Sequence, residues 1–110
     1  MSTIDGYTTR VIGGKELLFD DEGYLVNPED WTEGLAEVIA RDIGIEQLSD
    51  PQWMVIRFVR DFYLENGRAP LNRDLRRATG MSLMDIEGLF PDGIRRGARR
   101  IAGLPNPKTC

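Results

Sequence analysis

The sequence predicts a small α+β domain, mostly helical, with an N-terminal β-hairpin of up to three short strands, about five helices and a flexible C-terminal arm. Three observations carry this expectation. From Asn27 onward, apolar residues recur at helical spacing, in stretches opened by Asn-Pro, Asp-Pro or Ser and closed or broken by glycine or proline. Before Asn27 the apolar runs are only two or three residues long, separated by Gly13-Gly14 and Asp20-Asp21-Glu22-Gly23. After Gly103 the period stops, and LPNPKTC carries two prolines. A chain of 110 residues, 41% hydrophobic and 29% charged, has the size and composition of one soluble domain. Residues 1–103 are therefore read as that domain and residues 104–110 as the arm.

Val11-Ile12, Leu17-Leu18-Phe19 and Tyr24-Leu25-Val26 are the expected strands, turning at the two glycine-bearing segments. Asn27 is expected to cap a helix that starts at Pro28, runs through Trp31, Leu35, Val38 and Ile39, and stops at Gly44. Asp50 is expected to cap the next, with Pro51 first and Trp53, Ile56, Val59, Phe62 and Tyr63 along its apolar face until Asn66-Gly67. Those aromatic residues are read as core rather than as a cofactor site. Three shorter helices are expected at residues 72–79, 82–90 and 92–102, with Gly80 and Pro91 between them.

Several chemistries are excluded by composition. Histidine is absent, so neither a Ser-His-Asp triad nor a Cys-His dyad nor a Cys/His zinc site can be assembled within the chain. One cysteine forbids an internal disulfide, which suits a reducing compartment, with the cytoplasm as the expectation. No run approaches the ~20 apolar residues of a membrane-spanning helix, and the start of the chain lacks a signal-peptide pattern. No cofactor or metal is expected. Asp20-Asp21-Glu22 is read as an acidic turn, since no calcium-loop spacing follows it.

Charge is uneven. Residues 1–56 hold three basic against twelve acidic side chains, whereas residues 57–110 hold eleven against six. Such asymmetry fits an anionic partner for the basic half; the plainer alternative is attraction between the halves or a solvated face. Arg95, Arg96, Arg99 and Arg100, with Lys108, are the candidate partner contacts. LNRDLRRATGMSLMDIEGLF has the shape of a helix-turn-helix. Its second helix, however, offers Asp85 and Glu87 and no base, and direct nucleic-acid contact is not favoured.

The candidate reactive residue is Cys110. Pro105 and Pro107 bias the preceding segment toward extended polyproline geometry, so its sulfur is placed to enter another protein's pocket. Lys108 and nearby arginines favour the thiolate and the α-carboxylate of Cys110 opposes it, so activation is left to a partner; the plainer alternative is an incidental free cysteine in a disordered tail.

The segments GYL..P..W.E..A, W.VIRFVRDFYLE....P, LFP.G and RIAGLPNPKTC resemble the DsrC/TusE family, in order and over nearly the whole chain from about Leu18 to Cys110. The resemblance implies a sulfur relay protein, a sulfurtransferase-type carrier rather than a stand-alone catalyst. Cys110 would then hold sulfane sulfur as a persulfide, passed between donor and acceptor proteins of tRNA thiolation or sulfur oxidation. Sulfite-reductase-coupled members have a second cysteine eleven residues earlier, where this sequence has Arg99. That departure points to the single-cysteine, TusE-like branch. The alternatives are a regulatory or nucleic-acid-binding helix-turn-helix-like module, and an accessory subunit of a sulfite-reductase-type complex.

Overall fold

The computed structural model describes residues 3–4 and 6–106 of the chain. It is α+β and mostly helical, as the sequence predicts. Strands β1 (Thr3–Ile4), β2 (Tyr7–Ile12) and β3 (Lys15–Phe19) form one antiparallel sheet in that order. The β2–β3 hairpin pairs Arg10 with Leu17 and Ile12 with Lys15. Its two-residue turn is Gly13-Gly14, with φ of +62° and +79°, a conformation that only glycine adopts without steric cost at both positions. On β3, Leu17 and Phe19 point into the core and Lys15 and Glu16 are exposed, so one face of the hairpin is fixed against the helices.

Tyr24–Val26, expected as a strand, forms an isolated bridge between Leu25 and Phe19, flanked by bonds from the Val26 N–H to the Leu18 carbonyl and from the Asp20 N–H to the Tyr24 carbonyl. The reason lies on both sides. Asp20 Oδ1 accepts from the N–H groups of Glu22 and Tyr24, pulling the chain into a tight turn. Pro28 then lacks the N–H that a continuing ladder requires. The third strand is instead β1, ahead of the region read as strands.

Pro28–Asp30 makes a single 3₁₀ turn, so Asn27 does not cap the long helix. That helix is α1 (Glu33–Asp42), capped by Thr32, whose hydroxyl accepts from the Leu35 N–H. Trp31 consequently lies outside it. Helix α2 (Asp50–Asn66) is capped by Ser49 rather than Asp50, in a reciprocal capping box with Gln52. It ends at Gly67 in the left-handed region. Helix α3 (Asn72–Thr79) has the expected bounds, and α4 (Leu83–Gly88) is capped by Ser82. The helix-turn-helix-like pair is therefore present.

The last expected helix is divided. Gly93 opens a π-turn, Ile94–Ala98, closed by a bond from the Arg99 N–H to the Ile94 carbonyl, and only then does a short α5 (Arg99–Ile101) follow. Gly97 permits this: a Cβ there would lie 2.9 Å from Phe90 Cβ. Helix α5 packs between α1 and α2, and Leu25, Ile39, Ile56, Ile86, Ile101 and Leu104 are among the core side chains. Gly103 (φ +72°) ends α5 because its position also presses on Trp31, where any side chain would collide with the indole Cδ1 and Cγ.

Gly103→Ala is expected to cost roughly 2–4 kcal/mol, from positive-φ strain plus collision with Trp31. Gly44→Ala, with φ of +96° but open space around it, should carry only the strain, about 1 kcal/mol. Urea denaturation of both variants ranks them, and equal losses would mean that Trp31 yields freely.

Candidate functional site

The functional expectation falls on the segment that follows α5, so its root is the place to begin. The last carbonyls of a helix have no partner within the helix and must find one elsewhere. Here they find side chains. Trp31 Nε1 donates to the Ile101 carbonyl at 2.7 Å. Arg60, from the middle of α2, donates through one nitrogen to the Ala102 carbonyl at 3.0 Å and through another to the Pro28 carbonyl at 2.9 Å. The same guanidinium lies 4.4 Å from the centre of the Trp31 ring, within cation–π range. Burial lowers the Arg60 pKa from its ordinary value, and the neighbouring Asp61 carboxylate offsets part of that. The planar fork of arginine suits this task, since it bonds two carbonyls while its face covers an indole.

Beyond Gly103 the chain stays on the domain. Leu104 is fully buried and Pro105 half-buried, so the segment expected to leave at residue 104 is packed through Asn106. Arg99 Nε donates to the Pro105 carbonyl at 2.9 Å. Asn106, only 6% exposed, donates from Nδ2 to Asp20 Oδ2 at 3.1 Å. Both carboxylate oxygens of Asp20 are thus engaged, Oδ1 with its own turn and Oδ2 with Asn106. The acidic turn is a structural element that holds the start of the arm.

The arginines singled out in the sequence do not share one face. Arg95 and Arg96 are exposed, and Arg96 lies 3.5 Å from Glu22. Arg99 is 6% exposed, with its guanidinium 5.5 Å from the Tyr63 ring. Arg100 is half-buried, its guanidinium 5.0 Å from the Tyr24 ring, and its Nε is buried without a hydrogen-bond partner among the described residues. Positions 95 and 99 would lie on one face of an α-helix. The π-turn between them inserts a residue and rotates Arg99 inward. Beside Arg99 opens a cavity of about 520 Å³, with Pro70, Leu71, Leu75 and Ile94 among its apolar walls and Arg68 and Arg95 also on its lining. Cys110 and Lys108 lie outside the described residues.

Sequence reasoning missed Trp31, Arg60, Asp20 and Asn106 as parts of this root. Asn106 stands between two prolines, a context that signals an extended segment but no partner. Nothing local to Arg60 marks a contact with Trp31 and Ala102, since both partners are remote in sequence.

A family model described as "DsrC like protein" matches residues 11–110. The chain belongs to this family. A curated relative, the sulfurtransferase TusE of Escherichia coli strain K12, is 44% identical over 107 residues, covering 91% of this chain and 97% of that one. Among solved structures, dissimilatory sulfite reductase I (DsrI) superposes with a TM-score of 0.85 at 34% identity, covering 94% of this chain and 99% of that one. The oxidized gamma-subunit of the dissimilatory sulfite reductase (DsrC) from Archaeoglobus fulgidus has the same identity and coverages, with a TM-score of 0.82. Membership of the DsrC-like family agrees with the sequence resemblance, and these sulfurtransferase and DsrC relatives support a sulfur relay role for the chain. No described helix is long and apolar enough to cross a membrane.

Arg60→Ala is expected to destabilise the domain by about 2–4 kcal/mol, because two carbonyls lose their donor and the Trp31 face its cover. Arg60→Lys should recover less than half of the loss, since a point charge cannot bond both carbonyls and stack at once. Denaturant midpoints of the two variants check this; full recovery by lysine would show that charge alone is what matters.

Proposed function

We propose that this chain is a sulfur carrier that holds sulfane sulfur as a persulfide on Cys110 and passes it between protein partners. The single observation supporting the reading is membership of the DsrC-like family together with one cysteine, placed four residues beyond a root that the domain grips. The chemistry needs no cofactor and no net redox change. The Cys110 thiolate attacks the outer sulfur of a donor persulfide. An S–S bond forms on Cys110, the donor's S–S bond breaks, and the donor leaves as a thiolate. An acceptor thiolate then attacks the outer sulfur on Cys110 in the same manner and restores the thiolate. Lys108, two residues away, favours the anionic sulfur in both steps.

With a single cysteine, no second thiol of the chain competes for the bound sulfur. This suits a relay that only loads and unloads, and it favours a place between a donor and an acceptor protein in a reducing compartment. The resemblance to TusE and to DsrC makes a tRNA-thiolation complex or a sulfite-reductase-like complex the natural source of those partners. Among the described residues, Arg95 and Arg96 are the exposed cations nearest in sequence to the root that such a partner would meet, with Lys108 beyond them as a further candidate contact. Arg99 and Arg100 act within the domain instead.

Incubation with glutathione persulfide, followed by intact-mass measurement, is expected to add the mass of one sulfur atom to the wild-type chain and none to Cys110→Ser. Treatment with excess thiol should remove it. Equal gain on Cys110→Ser, or no gain on the wild type, would overturn the carrier reading.

A further inference from the structure

Residues 67–77, from the end of α2 through most of α3, carry four arginines against one carboxylate in a chain of net charge −4. Arg68, Arg73, Arg76 and Arg77 are all exposed, and none has an ion-pair partner among the described residues. Arg10, Arg57 and Arg96, by contrast, each reach a carboxylate within the domain. The one carboxylate of the segment, Asp74, accepts from the Leu71 N–H at 2.9 Å and caps α3. Folding thus leaves this cluster of positive charge unneutralised.

The cavity of about 520 Å³ opens beside the cluster. It reaches down to Val59 and Leu75, each only 2% exposed, and its wall includes Leu71, which is half exposed. Arg68 and Arg95 are exposed cations on its lining. Glu87 is the carboxylate among the described lining residues, and its Oε1 is engaged by the Ile94 N–H at 3.0 Å. A phosphate backbone has no use for an apolar cavity, and the second helix of the helix-turn-helix-like pair presents exposed Asp85 and Glu87, which repel it. A protein segment with carboxylates on both sides of an apolar side chain matches the cavity and the charge together.

We propose that this cavity and its arginine border form a docking site for an acidic segment of a partner protein. An apolar side chain of that segment is seated against Leu71, Leu75 and Ile94, and its carboxylates meet Arg68 and Arg95. The proposal rests on the carrier reading for the partner's role as sulfur donor or acceptor, and on the cavity and the charge for the site itself. The volume lies within the range of small-ligand pockets, and a seated apolar anchor ringed by polar contacts is the arrangement that carries most of the energy of many interfaces. Arg73 and Arg77, one turn apart on the side of α3 away from Leu75, extend the positive field outward with Arg76 beside them. Exposed charges of this kind add little affinity but speed encounter and select the partner. That suits a carrier which must engage and release. Arg99 also lines the cavity and donates to the Pro105 carbonyl, so a docked segment lies beside the packed residues that lead into the arm.

The test is a titration of the ¹⁵N-labelled full chain with a capped pentapeptide, one phenylalanine between two pairs of glutamates, followed by amide spectra. Shifts should concentrate at Gly67, Arg68, Leu71, Leu75 and Ile94. Replacing the glutamates by glutamines, or the phenylalanine by glycine, should each weaken binding roughly tenfold. Arg68→Gln/Arg95→Gln should weaken it several-fold and flatten its salt dependence, whereas Arg41→Gln, which removes an exposed cation of α1 away from the cavity, should leave it unchanged. The same spectra report whether each variant is folded. Equal binding of the glutamine peptide, shifts centred elsewhere, or equal weakening by Arg41→Gln would overturn the site. A stronger response of the α3 amides to a short RNA duplex than to the peptide would overturn it in favour of a nucleic-acid surface. Failure of the wild-type chain to load sulfur from glutathione persulfide would sink the carrier reading alone, since peptide binding is measured without any sulfur transfer.

Discussion

The stack of Arg60 on Trp31 is the contact on which the C-terminal half of the domain depends. Trp31 sits just before α1, Arg60 lies in the middle of α2, and together they satisfy the carbonyls of Ile101 and Ala102 at the end of α5. Three elements and the 3₁₀ turn at Pro28 meet at one guanidinium and one indole. Gly103 is required because the chain passes directly against that indole. Without these donors, the short α5 would end in the interior with unsatisfied carbonyls, a cost comparable to losing a core side chain. The packed path of residues 104–106 against the domain follows from this closure.

The uneven charge of the two halves finds a physical use in the fold. Arg57 reaches Glu33 at 2.9 Å and Arg96 reaches Glu22 at 3.5 Å, each pairing a basic residue of the second half with an acidic one of the first. Such exposed pairs contribute little individually. The more consistent role of the arginines is to cover aromatic faces: Arg57 on Trp53, Arg60 on Trp31, Arg68 on Phe62, Arg99 on Tyr63 and Arg100 on Tyr24. Their aliphatic stems and flat heads cover aromatic rings, most of which this small domain leaves only half-buried. Arg60, Arg99 and Arg100 thus serve the interior, while Arg57, Arg68, Arg73, Arg76, Arg77, Arg95 and Arg96 remain exposed.

Much of the fold was legible because its signals are local. Gly13-Gly14 permits one kind of hairpin turn, Pro51 and Gly67 bracket α2, and Asn72–Thr79 lies between a polar start and Gly80. Where sequence reading went astray, a neighbouring residue outcompeted the chosen one or the geometry was nonlocal. Ser49 has both the hydroxyl and a matching Gln52, so it caps in place of Asp50. Tyr24–Val26 has strand-like residues but is bent by Asp20 and cut short by Pro28. The family and its cysteine were legible through the IAGLPNPKTC ending. The root of the arm was not, because Asp20 meets Asn106 across 86 positions and no periodicity records such a meeting.

The π-turn at Ile94–Ala98 makes chain length itself a structural variable. It holds one surplus residue in a helix, tolerated because Gly97 leaves room against Phe90. Shortening this stretch by one residue would let an ordinary helix form and turn Arg99 outward, away from the Pro105 carbonyl. The interval between Gly93 and Gly103 therefore works as a ruler. A deletion within it would alter the arm's origin even if every side chain that grips the arm were kept.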